Sequence, residues 1–135
     1  MTDYYHCTNK TAADSIRKTG FRSAPSKEDI AYMFQSFQKY FPEEEVRAAD
    51  KLYSTTNEMP RLDAISKLWT RRFGHGTPIW LSEEPAIDYG DYCFKFTPPK
   101  GTLIVSEAHE DDYYYLAWAP MKPIPRKYFK LVSVE

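Results

Sequence analysis

At Gly74-His75-Gly76-Thr77-Pro78 the apolar residues of this chain change period, and that change limits what the chain can fold into. Before it, Ile30, Met33, Phe34, Phe37 and Phe41 recur three and four residues apart, the spacing of one helix face. Ser26-Lys27-Glu28-Asp29 precedes them as a capping box, hydroxyl first and carboxylate three later, so the pattern predicts a helix over 27–41. Pro42 ends it and is tolerated at the first position of the next. Val46, Ala49, Leu52 and Tyr53 mark that second helix; Leu62, Ile65, Leu68, Trp69 and Phe73 mark a third, which Gly74 stops. After the junction the texture is that of strands: Ile79-Trp80-Leu81-Ser82, Tyr92 to Phe96, Thr102 to Val105, Tyr113 to Trp118 and Tyr128 to Val134. Ser82 is placed to cap a short helix over Glu83 to Tyr89, and Glu107 to Asp112 reads as an acidic loop. A helical block followed by a strand-rich half is an α+β arrangement.

The first twenty residues add one more unit. Residues 3–7 read as a strand, Thr8 or Asn9 caps a helix carrying Ala12, Ala13 and Ile16 on one face, and Gly20 ends it with Phe21 folding back. At 135 residues the expectation is one domain over 1–135. A net charge of −1 argues against a surface built on phosphate contacts, so Arg61, Lys67, Arg71 and Arg72 read as a solvated helix face. Cys7 and Cys93 lack the C-x-x-C spacing of a zinc site, and a chain of this length does not need a staple. Both are expected as buried free thiols in a reducing cytosol. Without a long apolar run or a basic-then-apolar start, the expectation is a cytoplasmic protein that does not meet a membrane.

Chemistry has few places to sit. There is no G-x-G-x-x-G, G-K-[ST], H-E-x-x-H or G-x-S-x-G, and three histidines make poor metal-site arithmetic. His75 and His109 read as surface polar residues. Strand alternation puts His6 on the face opposite Tyr5 and Cys7; periodicity alone makes it a core histidine satisfied by a backbone carbonyl.

Three elements in order carry a resemblance. They are Tyr5-His6-Cys7-Thr8 with a helix and Gly20-Phe21, then Pro78 to Tyr89, then Asp112-Tyr113-Tyr114-Tyr115-Leu116 followed by Ile124-Pro125-Arg126-Lys127-Tyr128-Phe129. Covering about half the chain, they resemble the ADP-ribosyltransferases of the histidine–tyrosine–glutamate type. That group includes diphtheria toxin, the poly(ADP-ribose) polymerases and many small bacterial and phage effectors. The resemblance implies a split antiparallel sheet, with the helical block of about residues 27–73 between the first strand–helix unit and the C-terminal half. It implies NAD as substrate and transfer of ADP-ribose to a protein or nucleic-acid acceptor, protein before nucleic acid. His6 would bond a ribose hydroxyl of the adenosine half and Thr8 a neighbouring polar group. Ser82 would close the second strand beside the dinucleotide, and Tyr89, with Tyr92 competing, would stack on the nicotinamide.

The catalytic acid would be Asp112, with Glu110 second and Glu107 and Asp111 also open. Lys10, Arg22 or the loop around Gly76 would meet the pyrophosphate. Two departures from the pattern matter. Cys7 stands where the family has Gly, and Asp112 is one methylene shorter than the usual Glu. They make a catalytically inactive relative, acting through protein–protein contacts, the alternative. RNA 2′-phosphotransfer, the other chemistry on such a scaffold, would demand a convergent Arg set that the sequence lacks.

Overall fold

A computed structural model describes residues 2–51, 58–109 and 112–132. The chain forms two compact units, Met1–Ala24 with His75–Glu135, and Pro25–Gly74.

The first unit is α+β. It comprises β1 (Tyr4–Thr8), α1 (Lys10–Thr19), β2 (Thr77–Ser82), β3 (Tyr92–Phe96), β4 (Leu103–His109), β5 (Asp112–Ala119) and β6 (Phe129–Val132). The six strands form one antiparallel sheet in the order β4-β5-β2-β1-β3-β6. Its centre is thin. Strand β1 pairs with β3 along its whole length, and β2 with β5 along its own. Among the described residues β1 and β2 are in register only at Tyr5 and Ser82. Two three-stranded halves therefore share a single registered pair.

One side of the sheet buries Ile79, Leu81, Phe96, Ala117, Ala119 and Ile124, and α1 lays Ala13 and Ile16 on Phe94. Asn9 caps α1 by accepting from the Ala12 amide at 2.9 Å. Gly20 ends the helix at φ 86°, where an added Cβ would lie 2.1 Å from the Ile124 carbonyl oxygen; the chain can reverse there only without a side chain. Phe21 and Ile124 then exchange two backbone hydrogen bonds of 2.9 Å. Thr77 is buried and donates its hydroxyl to the Met121 carbonyl at 2.7 Å, so its burial leaves no unpaired donor.

The second unit is helical: α2 (Lys27–Ser36), α3 (Glu43–Lys51) and α4 (Glu58–Phe73). The capping box of α2 is complete, Ser26 and Asp29 satisfying each other's amides. The helix stops at Ser36 instead of Phe41, and Gln38–Tyr40 tighten into a 3-10 turn. That turn lets Phe37 and Phe41 both pack on Trp69 of α4, at ring separations of 5.6 and 5.8 Å. Phe73 closes the group, 4.8 Å from Trp69. Lys27 pairs with Asp63, holding that carboxyl below its ordinary pKa through the hydrogen bond and the adjacent charge. Arg72 donates to the Tyr40 carbonyl at 3.1 Å and Arg71 reaches Glu45 at 3.5 Å, as a solvated face would.

The thiol expectation is corrected. Cys7 and Cys93 are disulfide-bonded across β1 and β3, in direct register with Cα atoms 4.0 Å apart. A separation of 86 residues concealed that their strands are neighbours. The described ends of the acidic segment are strand instead of loop. Strand β4 runs on through Glu107 to His109 and β5 begins at Asp112, so strand pairing overrides polar composition at those residues. At the other end Arg126–Tyr128 form a 3-10 turn and β6 starts only at Phe129. Among the described residues no helix is long and apolar enough to cross a membrane.

Candidate functional site

Where β1 and β2 part, a crevice of about 470 Å³ opens, within the range of small-molecule sites. Tyr5, His6 and Cys7 of β1 line it, with Trp80, Leu81 and Ser82 of β2, Ala86 and Tyr89 of the following loop, and Tyr114 of β5. Register fixes which side chains share a face. Tyr5 opposes Ser82, and Ser82 opposes Tyr114, so these three and Trp80 lie together while His6 and Leu81 belong to the other side. The crevice draws on both faces, as a gap between diverging strands allows.

His6 reaches across that gap. Its Nδ1 lies 3.0 Å from the Trp80 carbonyl oxygen, and its ring stands edge-on to Phe21 at 4.9 Å. A carbonyl can only accept, so Nδ1 carries the proton and the neutral ring keeps its Nε2 lone pair. Burial lowers the pKa of His6 below 6.5; the bond to Trp80 opposes this more weakly. At neutral pH the group is an uncharged imidazole whose remaining nitrogen accepts hydrogen bonds.

The Tyr89 loop is seated on backbone. Gly90, at φ 146°, lies so close to the end of β1 that a Cβ there would stand 2.1 Å from the Thr8 carbonyl oxygen. This close approach brings Tyr89 beside Tyr114, the rings edge to face at 5.9 Å. Ser82 does not cap a helix. Its hydroxyl donates to the Glu84 carbonyl at 2.6 Å, and only Ile87–Tyr89 wind into a 3-10 turn with no side-chain cap. Pro85 explains this, since a residue before proline is pushed out of helical geometry.

Of the residues expected at a site, the fold brings His6, Ser82 and Tyr89 to one crevice, from segments more than seventy residues apart. Thr8 and Tyr92 are not in its lining. Thr8 contributes its backbone to the seat of Gly90, and Tyr92, its register partner, packs toward Ala13, Ile16 and Phe94. Glu110 and Asp111 lie outside the described residues. Asp112 opens the strand that carries Tyr114, and Glu107 of β4 stands directly opposite Tyr114.

Trp80, Tyr5 and Tyr114 were not singled out from sequence. Trp80 had a signal, since it alternates with the inward Ile79 and Leu81; Tyr114 had none within its run of three tyrosines. No protein-family model, curated protein or solved structure matches this chain.

Proposed function

We propose that the crevice binds NAD and that the chain is a mono-ADP-ribosyltransferase, breaking the bond between nicotinamide and its ribose. The observation that carries this reading is the convergence of His6, Ser82 and Tyr89 on one crevice of about 470 Å³. The chemistry of the lining supports it. His6 Nε2 is an acceptor for a ribose hydroxyl, and a neutral ring suits an uncharged donor. Tyr89 with Tyr114 offers aromatic faces to the nicotinamide, contacts of about 1 kcal/mol each beyond burial. The transition state has cationic character at the ribose. A carboxylate beside it would stabilise that charge, and Glu107, opposite Tyr114, is the candidate whose side chain is described. No enzyme nucleophile is needed; positioning and electrostatics supply the acceleration.

A binding module without catalysis is the second reading, and two observations favour it. Among the described residues the crevice lining contains no Lys or Arg to meet a pyrophosphate, and Cys7, where the resembled family has Gly, is part of a disulfide. One assay separates the two. The purified chain is incubated with NAD and free nicotinamide is measured, alongside His6→Ala. Release that His6→Ala abolishes supports the enzyme; NAD binding without release supports the module. A chain that neither binds NAD nor releases nicotinamide ends both.

A further inference from the structure

We propose that the end of the sheet unit where α1 meets residues 121–128 binds the phosphate backbone of a nucleic acid. Six cations gather there from opposite ends of the sequence: Arg17, Lys18 and Arg22 with Lys122, Arg126 and Lys127. Backbone contacts fix the gathering. Phe21 and Ile124 form an antiparallel bridge, with Arg22 one residue and Lys122 two residues away from it. The Arg126 guanidinium reaches back to the Arg17 carbonyl oxygen at 3.5 Å. All six residues are exposed, and among the described residues none of them is in an ion pair. Residues 15–24 and 121–130 contain no Asp or Glu; Asp14, one helical turn before Lys18, is the nearest in sequence. The net charge of −1 conceals this patch, because the carboxylates lie on other segments.

The negative end of α1 accounts for part of the set. Arg17 and Lys18 sit in its last turn and Arg126 meets a carbonyl there, positions where cations are favourable. It does not call for Arg22, Lys122 or Lys127. Like charges collected with no carboxylate between them repel, and a polyanion laid across them removes that cost. What the patch lacks decides which polyanion. Ile16 and Ile124 are buried, Phe21, Met121 and Tyr128 pack against the core, and no large apolar residue of 15–24 or 121–128 is exposed. A bilayer would find no side chain to insert, and a protein partner no apolar centre to close over. A phosphate backbone needs only charge. It repeats an anion at every nucleotide, so several cations engage it together, and the three guanidiniums can fork onto phosphate oxygens. Phosphate contacts carry no base information, so binding is indifferent to sequence. The patch needs neither NAD nor the crevice to act.

The deciding experiment contains no NAD. The full chain is titrated into a labelled single-stranded oligonucleotide of about twenty nucleotides, read by fluorescence anisotropy from about 50 to 200 mM salt. Saturable binding is expected, equal for two unrelated sequences, with log K falling linearly against log salt. Arg22→Gln, Lys122→Gln and Lys127→Gln combined, checked for native circular dichroism, should weaken it roughly tenfold at the lowest salt and reduce the salt slope by about two. Lys18→Gln with Lys127→Gln, which leaves the bridge segment untouched, should reduce the slope by about one. Lys100→Gln, a cation elsewhere on the same unit, should change neither. Absence of binding at the lowest salt, affinity indifferent to salt, or variants that bind like the parent would overturn the proposal. So would tighter binding to vesicles of anionic lipid or to polyglutamate. Nicotinamide release plays no part in this readout, so failure of the enzyme reading leaves the patch standing, and failure of the patch leaves the enzyme.

Discussion

Two aromatic clusters in this chain differ in one respect that matters. In the helical unit Phe37, Phe41, Trp69 and Phe73 interlock, and Trp69 is 1% exposed. In the sheet unit Trp80, Tyr89 and Tyr114 stand around a crevice, partly open to water. Both are built from large rings at close spacing. The closed cluster packs ring on ring within its own unit and contributes stability. The open one hangs on a gap between strands that are in register at a single position, so its rings stay partly exposed. Aromatic richness alone therefore does not identify a site; the backbone that carries the rings does.

The largest test of that contrast is Trp69→Ala. Removing a buried indole should cost about 3–5 kcal/mol, read as a shift of the denaturation midpoint, and a cost below about 1 kcal/mol would mean the cluster is not closed. Next comes the tie under the crevice. Reducing Cys7–Cys93, or replacing Cys93 by Ser with Cys7→Ser, should lose about 2–4 kcal/mol by the same measurement, because a long loop is freed in the unfolded chain. Ser26→Ala removes half of a capping box and should cost about 1 kcal/mol, confined to the helical unit and visible in amide exchange of α2.

A smaller effect concerns pH. The folded pKa of His6 is lowered, so below about 6.5 the unfolded chain takes up the proton first. Stability should be complete above that pH, fall as pH drops toward the folded pKa and level off beyond it; His6→Gln should flatten this segment of the profile. The smallest stability change is expected for Tyr89→Ala, within about 0.5 kcal/mol, because the ring is mostly solvated. The same variant should nonetheless weaken the proposed NAD binding severalfold in a titration. A large stability loss there would show that the open cluster is core after all.

The sequence determined much of the local structure. Ser26 with Asp29 started α2, Asn9 started α1, Gly20 stopped it, and the change of period at Gly74–Pro78 divided helices from strands. These are contacts between residues at most four apart, and chain chemistry alone specifies them. His6 was legible as a strand residue facing away from Tyr5 and Cys7 for the same reason. What the tertiary structure decided were the long-range pairings. Cys7 met Cys93, Tyr5 met Ser82 and Glu107 met Tyr114 only because the sheet order placed their strands side by side. Three tyrosines in a row at 113–115 look alike in sequence; register with β2 turned Tyr114 to the crevice and Tyr115 toward Tyr4. Residue type sets what a side chain can do, but strand order and register, which depend on burying the whole sheet at once, set which side chains meet.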